Sequence, residues 1–285
     1  MFSQLSRQHA IRLTALATLA LLSSAAQAQL NPGYTVLGKD PISNADIFTH
    51  LDIGVAYETG SVGSPGSWDL HIHLDPAPAG FDDEYAPEDA LIYVGDGARV
   101  TTPAALAFLG VNSGDEIFLI PQGNPQSNAN PADDNISWVG IGAEENAPGD
   151  FSGGIQLFLR NLEFTPVVGG STIGNFAVWQ PGSLGGISVL WQSNNGFDNT
   201  DLINVSVGAH DHYNFGFSSA GIYEVTIEAI GTPTDGGPST SGLVTYTFGV
   251  GTTLLQAAAP EPGTFALLGL GLVGAVVARR RKQVG

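Results

Sequence analysis

The sequence predicts an all-β fold, an antiparallel β-sandwich or jelly-roll-like domain followed by a short hydrophobic helix at the C-terminal end. Short segments rich in Val, Ile, Phe, Tyr and Trp recur between clusters of Gly, Pro, Asn and Asp, as antiparallel strands do between turns. Helical periodicity is nearly absent before the C-terminal tail. Because no helices are predicted between the strands, packed antiparallel sheets are the expected architecture.

The strand segments are short and bounded by turn residues. β-branched and aromatic side chains favour the pleated, half-buried surface of a sheet, which is why these segments are assigned to strands. Residues 103–109 predict one short helical turn. The predicted strands cover residues 48–57, 68–74, 91–94, 116–120, 136–141, 155–164, 175–179, 187–192, 202–207, 222–230 and 243–250.

The N-terminal segment, residues 1–28, predicts a secretory signal peptide. Arg7 and Arg12 precede the apolar run 13–22, and an Ala-Gln-Ala cleavage site follows at 26–28. A first transmembrane helix is the alternative, but the apolar run is short for one. We therefore expect a mature β-sandwich metal-binding domain over residues 29–255.

The C-terminal tail, residues 260–283, combines three signals: Pro-Glu-Pro at 260–262, an apolar run at 264–278 and a basic cluster at 279–282. Fifteen helical residues would reach only ~22 Å, short of a ~30 Å hydrocarbon core. Basic residues beside such a helix favour the cytoplasmic side. This order of signals resembles the PEP-CTERM sorting tail. The resemblance implies transient anchoring by a transmembrane helix, processing by an exosortase-type enzyme, and delivery to the cell surface or extracellular matrix. An ordinary C-terminal anchor is the alternative.

The composition restricts the partners of the domain. Outside the two terminal signals, 3 basic residues face 26 acidic ones, a net charge of −23. A field of that sign repels nucleic acid, so no nucleic-acid partner is expected, and it attracts cations. Solubility outside the cell explains such a surface equally well. The chain has no cysteine, which excludes thiolate zinc sites and thiol catalysis.

The histidines form the strongest candidate site. Five of the six in the chain lie in three short groups, namely His50 followed by Asp52, the pair His71 and His73, and the pair His210 and His212. Scattered at random, they would give only about 0.1 His-x-His pairs, whereas two are present. Residues i and i+2 of a strand point to the same face, so each pair sets two imidazoles side by side.

Imidazoles with neighbouring carboxylates are typical ligands of zinc, and ligand type leaves copper and iron open. The sequence therefore predicts a transition-metal site, with Zn²⁺ as the cofactor and all five histidines as ligands. Surface or core histidines without a metal are the structural alternative. Two loops rich in Asn, Asp and Gly, 123–135 and 193–201, could take Ca²⁺ through oxygen ligands, although plain turns explain them more simply.

Several segments together resemble the surface-anchored domain called choice-of-anchor M. They are, in order, HLDIGVAYETG, WDLHIHLD, FDDEYAPEDALIYVG, FLGVNSGDEIFLIPQ, VGIGAEE and HDHYNFGFSSAGIYEVTIEA. The resemblance spans roughly residues 36–250 and is nearest to PEP-CTERM proteins controlled by the zinc-uptake repressor. It implies an exported β-rich protein associated with zinc acquisition, with the five histidines on the histidine positions of the family. Phe215 stands where many members have Trp.

The sequence favours binding over catalysis. It contains no G-x-S-x-G, H-E-x-x-H or phosphate-binding glycine motif. A zinc-dependent hydrolase remains open, with Glu58, Asp75 or Glu84 as a general base. A structural or carbohydrate-binding matrix protein also remains open, with Trp179 and Trp191 stacking on exopolysaccharide. The acidic runs 82–84 and 144–145 are interpreted as solvated loop charges.

Overall fold

The protein is described by a computed structural model that covers residues 34–39, 43, 45–60, 66–127, 136–167 and 169–251. These residues form a mostly β structure in which antiparallel pairing dominates, so the predicted fold class is confirmed. The strands are β1 (Thr35–Leu37), β2 (His50–Glu58), β3 (Ser67–Leu74), β4 (Glu84–Tyr85), β5 (Ala90–Val94), β6 (Arg99–Thr101), β7 (Glu116–Ile120), β8 (Trp138–Gly142), β9 (Ile155–Pro166), β10 (Phe176–Pro181), β11 (Ile187–Gln192), β12 (Leu202–Val205), β13 (His210–His212), β14 (Asn214–Phe217), β15 (Gly221–Gly231) and β16 (Ser239–Val250).

The strands are arranged in three sheets. The largest has the order β1-β5-β16-β15-β9-β12, and its centre is the long antiparallel set β9, β15 and β16. A second sheet has the order β11-β10-β14-β7-β6. The third, with the order β13-β8-β2-β3-β4, carries all five histidines and is called the histidine sheet below. A simple sandwich has two sheets, and here the three pack around one shared core.

The core draws on all three sheets. Large buried aromatics such as Trp191, Phe215 and Tyr246 come from the second and first sheets, and Ile53 and Ile72 come from the histidine sheet. Ile53 and Ile72 are direct cross-strand partners of β2 and β3, so their side chains lie on the same face. Because strand residues alternate between faces, the residues between these apolar ones lie on the opposite face of the histidine sheet.

The segments that sequence patterns did not assign to strands are mostly the shortest ones. β1, β4, β6 and β13 contain two or three residues each, too few to show a period-2 pattern. Their strand conformation comes from pairing with a longer neighbour. The predicted helical turn is present as a 3₁₀ helix, Ala104–Leu109, which ends at Gly110 in a left-handed conformation with a φ of 71°.

Several predicted segments lie outside the described residues: the signal peptide, the C-terminal hydrophobic helix and the greater part of the 123–135 loop. Within the described part of the chain, none of the helices has the length and apolar character required to span a bilayer.

Candidate metal centre

The histidine sheet places the five histidines and a buried aspartate on one face. On β2 and β3, Asp52 lies directly opposite His73, and Gly54 lies opposite His71. On the other side of β2, the intervening strand β8 links it to β13, where His210 and His212 pair with two glycines of β8. Three distant stretches of sequence therefore contribute to one surface, which we call the histidine face.

Glycines in the centre of the sheet leave room for these side chains. A Cβ atom built on Gly140 would lie within 1.9 Å of Asp52 Oδ1, and one built on Gly54 would lie within 2.3 Å of His71 Nε2. Gly142 faces His210, whose Cβ would be 3.2 Å from an added methyl group. The side chains of the neighbouring strands thus lie across the sheet in the space that the missing Cβ atoms leave.

Three imidazoles converge at the β13 edge of the face. Potential ligand atoms of His50, His210 and His212 all lie within 4.8 Å of one another. Their ring centroids are 5.1 Å apart for His50 and His212, 5.3 Å for His210 and His212, and 6.1 Å for His50 and His210. Tetrahedral ligation with nitrogen–zinc bonds of about 2.0–2.1 Å would separate ring centroids by about 5 Å. The spacing therefore fits three ligands of one ion, with a fourth position open.

Contacts around the cluster fix the orientation of two of its rings. His50 Nδ1 lies 2.7 Å from the carbonyl oxygen of Asp75. Because a carbonyl only accepts, this contact selects the neutral tautomer in which Nδ1 carries the proton and Nε2 has the lone pair. His210 Nδ1 is hydrogen-bonded to a carboxylate oxygen of Glu144. A carbonyl or carboxylate on the far ring nitrogen is the usual arrangement behind metal-ligating histidines.

His212 is held by stacking. Its ring lies flat on Trp138, with centroids 3.6 Å apart and planes 6° from parallel. Trp138 is fixed in turn, since its Nε1 donates to the carbonyl of Gln122 at 3.0 Å. Both ring nitrogens of His212 are buried, and neither makes a hydrogen bond of good geometry, although the Val139 backbone lies near enough to raise the pKa of the ring slightly. Burial lowers the pKa of His212 to about 4, so its ring is neutral at physiological pH, the form that binds a metal.

Two further clusters lie along the same face. Asp52, His73 and Glu144 bring one ligand atom each within 4.8 Å of one another, and so do His71, Glu84 and Glu145. In the latter cluster, His71 Nε2 lies 2.9 Å from Glu145 Oε1, in a geometry that does not make a hydrogen bond. The five candidate histidines thus divide among three adjacent groups along the face.

On the histidine face, burial and neighbouring charges shift the pKa values of the side chains in opposite directions. Burial raises the pKa of Asp52, although the nearby histidines partly lower it. Burial also lowers the pKa of His210. The hydrogen bond that its ring donates to Glu144 and the charge of Asp52 outweigh this effect, so the pKa of His210 is raised. Without a cation, the face therefore holds a buried carboxylate whose charged form is disfavoured.

Three carboxylates of the face were given another role in the sequence interpretation. The sequence interprets Glu84, Glu144 and Glu145 as solvated loop charges and leaves Glu84 open as a general base, yet each one lies in a group with a histidine. Glu144 and Glu145 lie in the turn after β8, one residue beyond its end, and Glu84 on β4 pairs with His73 on β3. Their position close to strands is the sequence signal for a role in the site. This signal was not sufficient, because the sequence does not show which strands are neighbours in the sheet.

Other candidate sites have different explanations in the structure. In the 193–201 loop, Asp198 accepts hydrogen bonds from the Thr200 backbone and hydroxyl, and Asp201 accepts from the backbone of Gln192 and Asp198. These carboxylates stabilise the turn. The proposed sugar-stacking role of Trp179 and Trp191 is wrong, because their side chains are only 5% and 0% exposed and pack in the core.

Comparison with protein families gives a match in the tail of the chain. Residues 258–282 match the PEP-CTERM protein-sorting motif, which confirms the sorting tail expected from the sequence. This motif indicates a protein that is exported, sorted to the surface and processed by an exosortase-type enzyme. No curated protein and no solved structure is significantly similar to the chain.

Proposed function

We propose that this exported protein binds a transition-metal ion, with zinc as the preferred metal, through His50, His210 and His212. Its proposed role is in zinc acquisition or storage at the cell surface. The resemblance to choice-of-anchor M proteins under the zinc-uptake repressor supports the choice of zinc and the link to acquisition. The PEP-CTERM motif supplies the location.

The observation that carries the proposal is the convergence of three imidazoles, two of which have buried nitrogens without hydrogen-bond partners. His50 Nε2 and both nitrogens of His212 are buried without hydrogen-bond partners. A buried polar atom without a partner costs about 1–3 kcal/mol, a cost that a bound ion would remove. The surrounding contacts hold the rings in place, with one potential ligand atom of each within 4.8 Å of the others, as a preformed site requires.

The charge of the domain supports capture of a cation from dilute solution. Outside the terminal signals the chain carries 26 acidic and 3 basic residues, and acidic side chains flank the histidine face. Such a field raises the local concentration of cations and their rate of encounter. Calcium would prefer an all-oxygen site, so the imidazole cluster favours a transition metal.

Zinc titration of the full chain, purified in mild detergent and stripped with a chelator, tests the proposal. We expect tight zinc binding in the wild type and a loss of about 100-fold or more in affinity in His212→Asn, since a direct ligand is removed. Asp211→Asn is the matched control. Asp211 lies between the two histidines of β13 but points to the other side of the strand, so this variant should bind as the wild type does.

The competing functions give other results in the same experiment. A structural or polysaccharide-binding matrix protein takes up no zinc, or takes it up equally in wild type and His212→Asn. A zinc-dependent hydrolase would bind zinc and also turn over ester, phosphate or glycoside substrates, with activity that is lost in His212→Asn. Equal affinity in the wild type and His212→Asn would overturn the proposed site.

A further inference from the structure

We propose that the histidine face is a two-metal centre, in which a second transition-metal ion is held by Asp52, His73 and Glu144 directly beside the ion of the imidazole cluster. The inference deepens the proposed function and rests on it. The second group has a mixed donor set, one imidazole and two carboxylates, of the kind that zinc accepts.

The strongest support is the state of the Asp52 carboxylate. The residue is 2% exposed, and its Oδ1 atom is buried without a hydrogen-bond partner. A buried carboxylate is normally paired with a cation or fully hydrogen-bonded, because its desolvation is costly. Within the described residues, Lys39, Arg99 and Arg160 pair with other carboxylates. The nearest potential cation is the His50 imidazole, whose Nε2 lies 3.6 Å from Asp52 Oδ2, beyond hydrogen-bond distance. A bound cation would supply the missing partner.

The space for this cation is already present. A cavity of about 40 Å³ lies between the sheet and the turn after β8, and Asp52, His73 and Glu144 are among the residues that line it. The floor of the cavity includes Gly54 and Gly142, whose missing side chains create the room. A volume of this size accepts an ion or a water molecule, and Asp52, His73 and Glu144 supply the polar atoms that such an occupant needs.

The two groups are joined by shared residues. Asp52 Oδ2 lies 3.6 Å from His50 Nε2 of the imidazole cluster, and Asp52 is also a member of the second group. Glu144 contacts His210 through one oxygen and belongs to the second group as well. A carboxylate in reach of two groups is suited to bridge two ions, which typically lie about 3.5–4 Å apart in two-metal sites.

Charge balance favours two ions over one. An ion held by three neutral imidazoles keeps its full double charge, and the adjacent Asp52 would offset part of it. Glu144 adds a second negative charge, so that two carboxylates are available to the pair of ions. The same carboxylates without cations would repel each other across the cavity.

The test compares zinc stoichiometry and zinc neighbours in the full chain, saturated with Zn²⁺ and freed of excess by gel filtration. We expect His73→Asn to bind one zinc fewer than the wild type. The zinc that this variant keeps should be the ion of the imidazole cluster, which is lost in His212→Asn. X-ray absorption of the wild-type zinc should show a metal neighbour at about 3.5–4 Å, and this neighbour should be absent in His73→Asn.

Two further variants control for folding and charge. Glu144→Gln changes a carboxylate that is 43% exposed, so it should fold normally and also lose one zinc. Asp69→Asn removes a charge on the same face of β3, outside the two groups, and should leave the stoichiometry unchanged.

The outcomes separate the inference from the function on which it rests. The same zinc content in wild type, His73→Asn and Glu144→Gln overturns the second site while the imidazole site stands. Absence of any zinc that depends on His212 overturns both.

Discussion

Substituting Gly140 by alanine tests the geometry of the metal centre without removing any ligand. The backbone of Gly140 does not lie in the left-handed region, so alanine introduces no backbone strain there. The added Cβ would lie 1.9 Å from Asp52 Oδ1 and 3.1 Å from His212 Cε1, where ordinary contacts begin at 3.4 Å. The Asp52 carboxylate must therefore move by about 1.5 Å, and His212 by a few tenths of an ångström.

The displacement far exceeds what a metal site tolerates. Ligand distances in such sites hold to within about 0.2 Å, so a carboxylate that has moved by about 1.5 Å no longer binds its ion. We expect Gly140→Ala to lose one zinc per chain and to bind the remaining zinc about 10–100-fold more weakly, as when an outer partner of a ligand is lost. Overpacking should also lower the free energy of unfolding by about 1–3 kcal/mol.

The assay is calorimetric zinc titration combined with urea unfolding of the metal-free protein. Gly142→Ala is a graded comparison, because its Cβ would meet His210 Cβ at 3.2 Å and should cause a smaller loss. Gly186→Ala is a control far from the site, where the nearest atom is 3.5 Å away. Wild-type zinc affinity and stoichiometry in Gly140→Ala would refute the proposed positions of Asp52 and His212.

Three other predictions concern the metal-free protein and its core. Burial lowers the pKa of His212 to about 4 from its ordinary value of 6.5. The neutral ring is therefore favoured in the folded state, and its contribution to the free energy of unfolding is full above pH 6.5 and is lost as the pH falls toward 4. Urea midpoints at pH 7 and pH 5 in the presence of chelator should therefore differ more for the wild type than for His212→Asn, and equal differences would contradict the burial of the ring. Burial raises the pKa of Asp52, so its ionisation destabilises the fold as the pH rises above 3.8. Without metal at pH 7, Asp52→Asn should therefore be more stable than the wild type. At saturating zinc the order should reverse, because the wild type gains more stability from the bound ion. Ile72→Ala should lower the free energy of unfolding by about 2–5 kcal/mol in urea denaturation, since this fully buried side chain fills the core beneath the histidine face, and a loss below about 1 kcal/mol would argue against that packing.

Local patterns were sufficient for the longer strands and for the sorting tail. The alternation in Trp68-Asp69-Leu70-His71-Ile72-His73 predicts that Asp69, His71 and His73 share a face, and the structure places them so. Two or three residues carry no such pattern, which is why β4 and β13 were not predicted as strands. The prediction that Trp179 and Trp191 stack on sugars was wrong for a similar reason. The local sequence around an aromatic strand residue does not show whether its side chain faces the core or the solvent.

By itself, the sequence determined the all-β class, the sorting tail, the net negative charge and the candidate imidazole donors. Each of these depends on residue type or on near neighbours along the chain. Only the tertiary structure decided which donors meet, because the pairing of β13 with β8, and of β8 with β2, joins residues far apart in the sequence. That pairing splits the five histidines among three groups and brings Glu84, Glu144 and Glu145 beside them. It also places the glycines of β8 and β2 where a Cβ atom would collide with the histidine and aspartate side chains. Strand order is set by how the whole core packs, and no single segment encodes it.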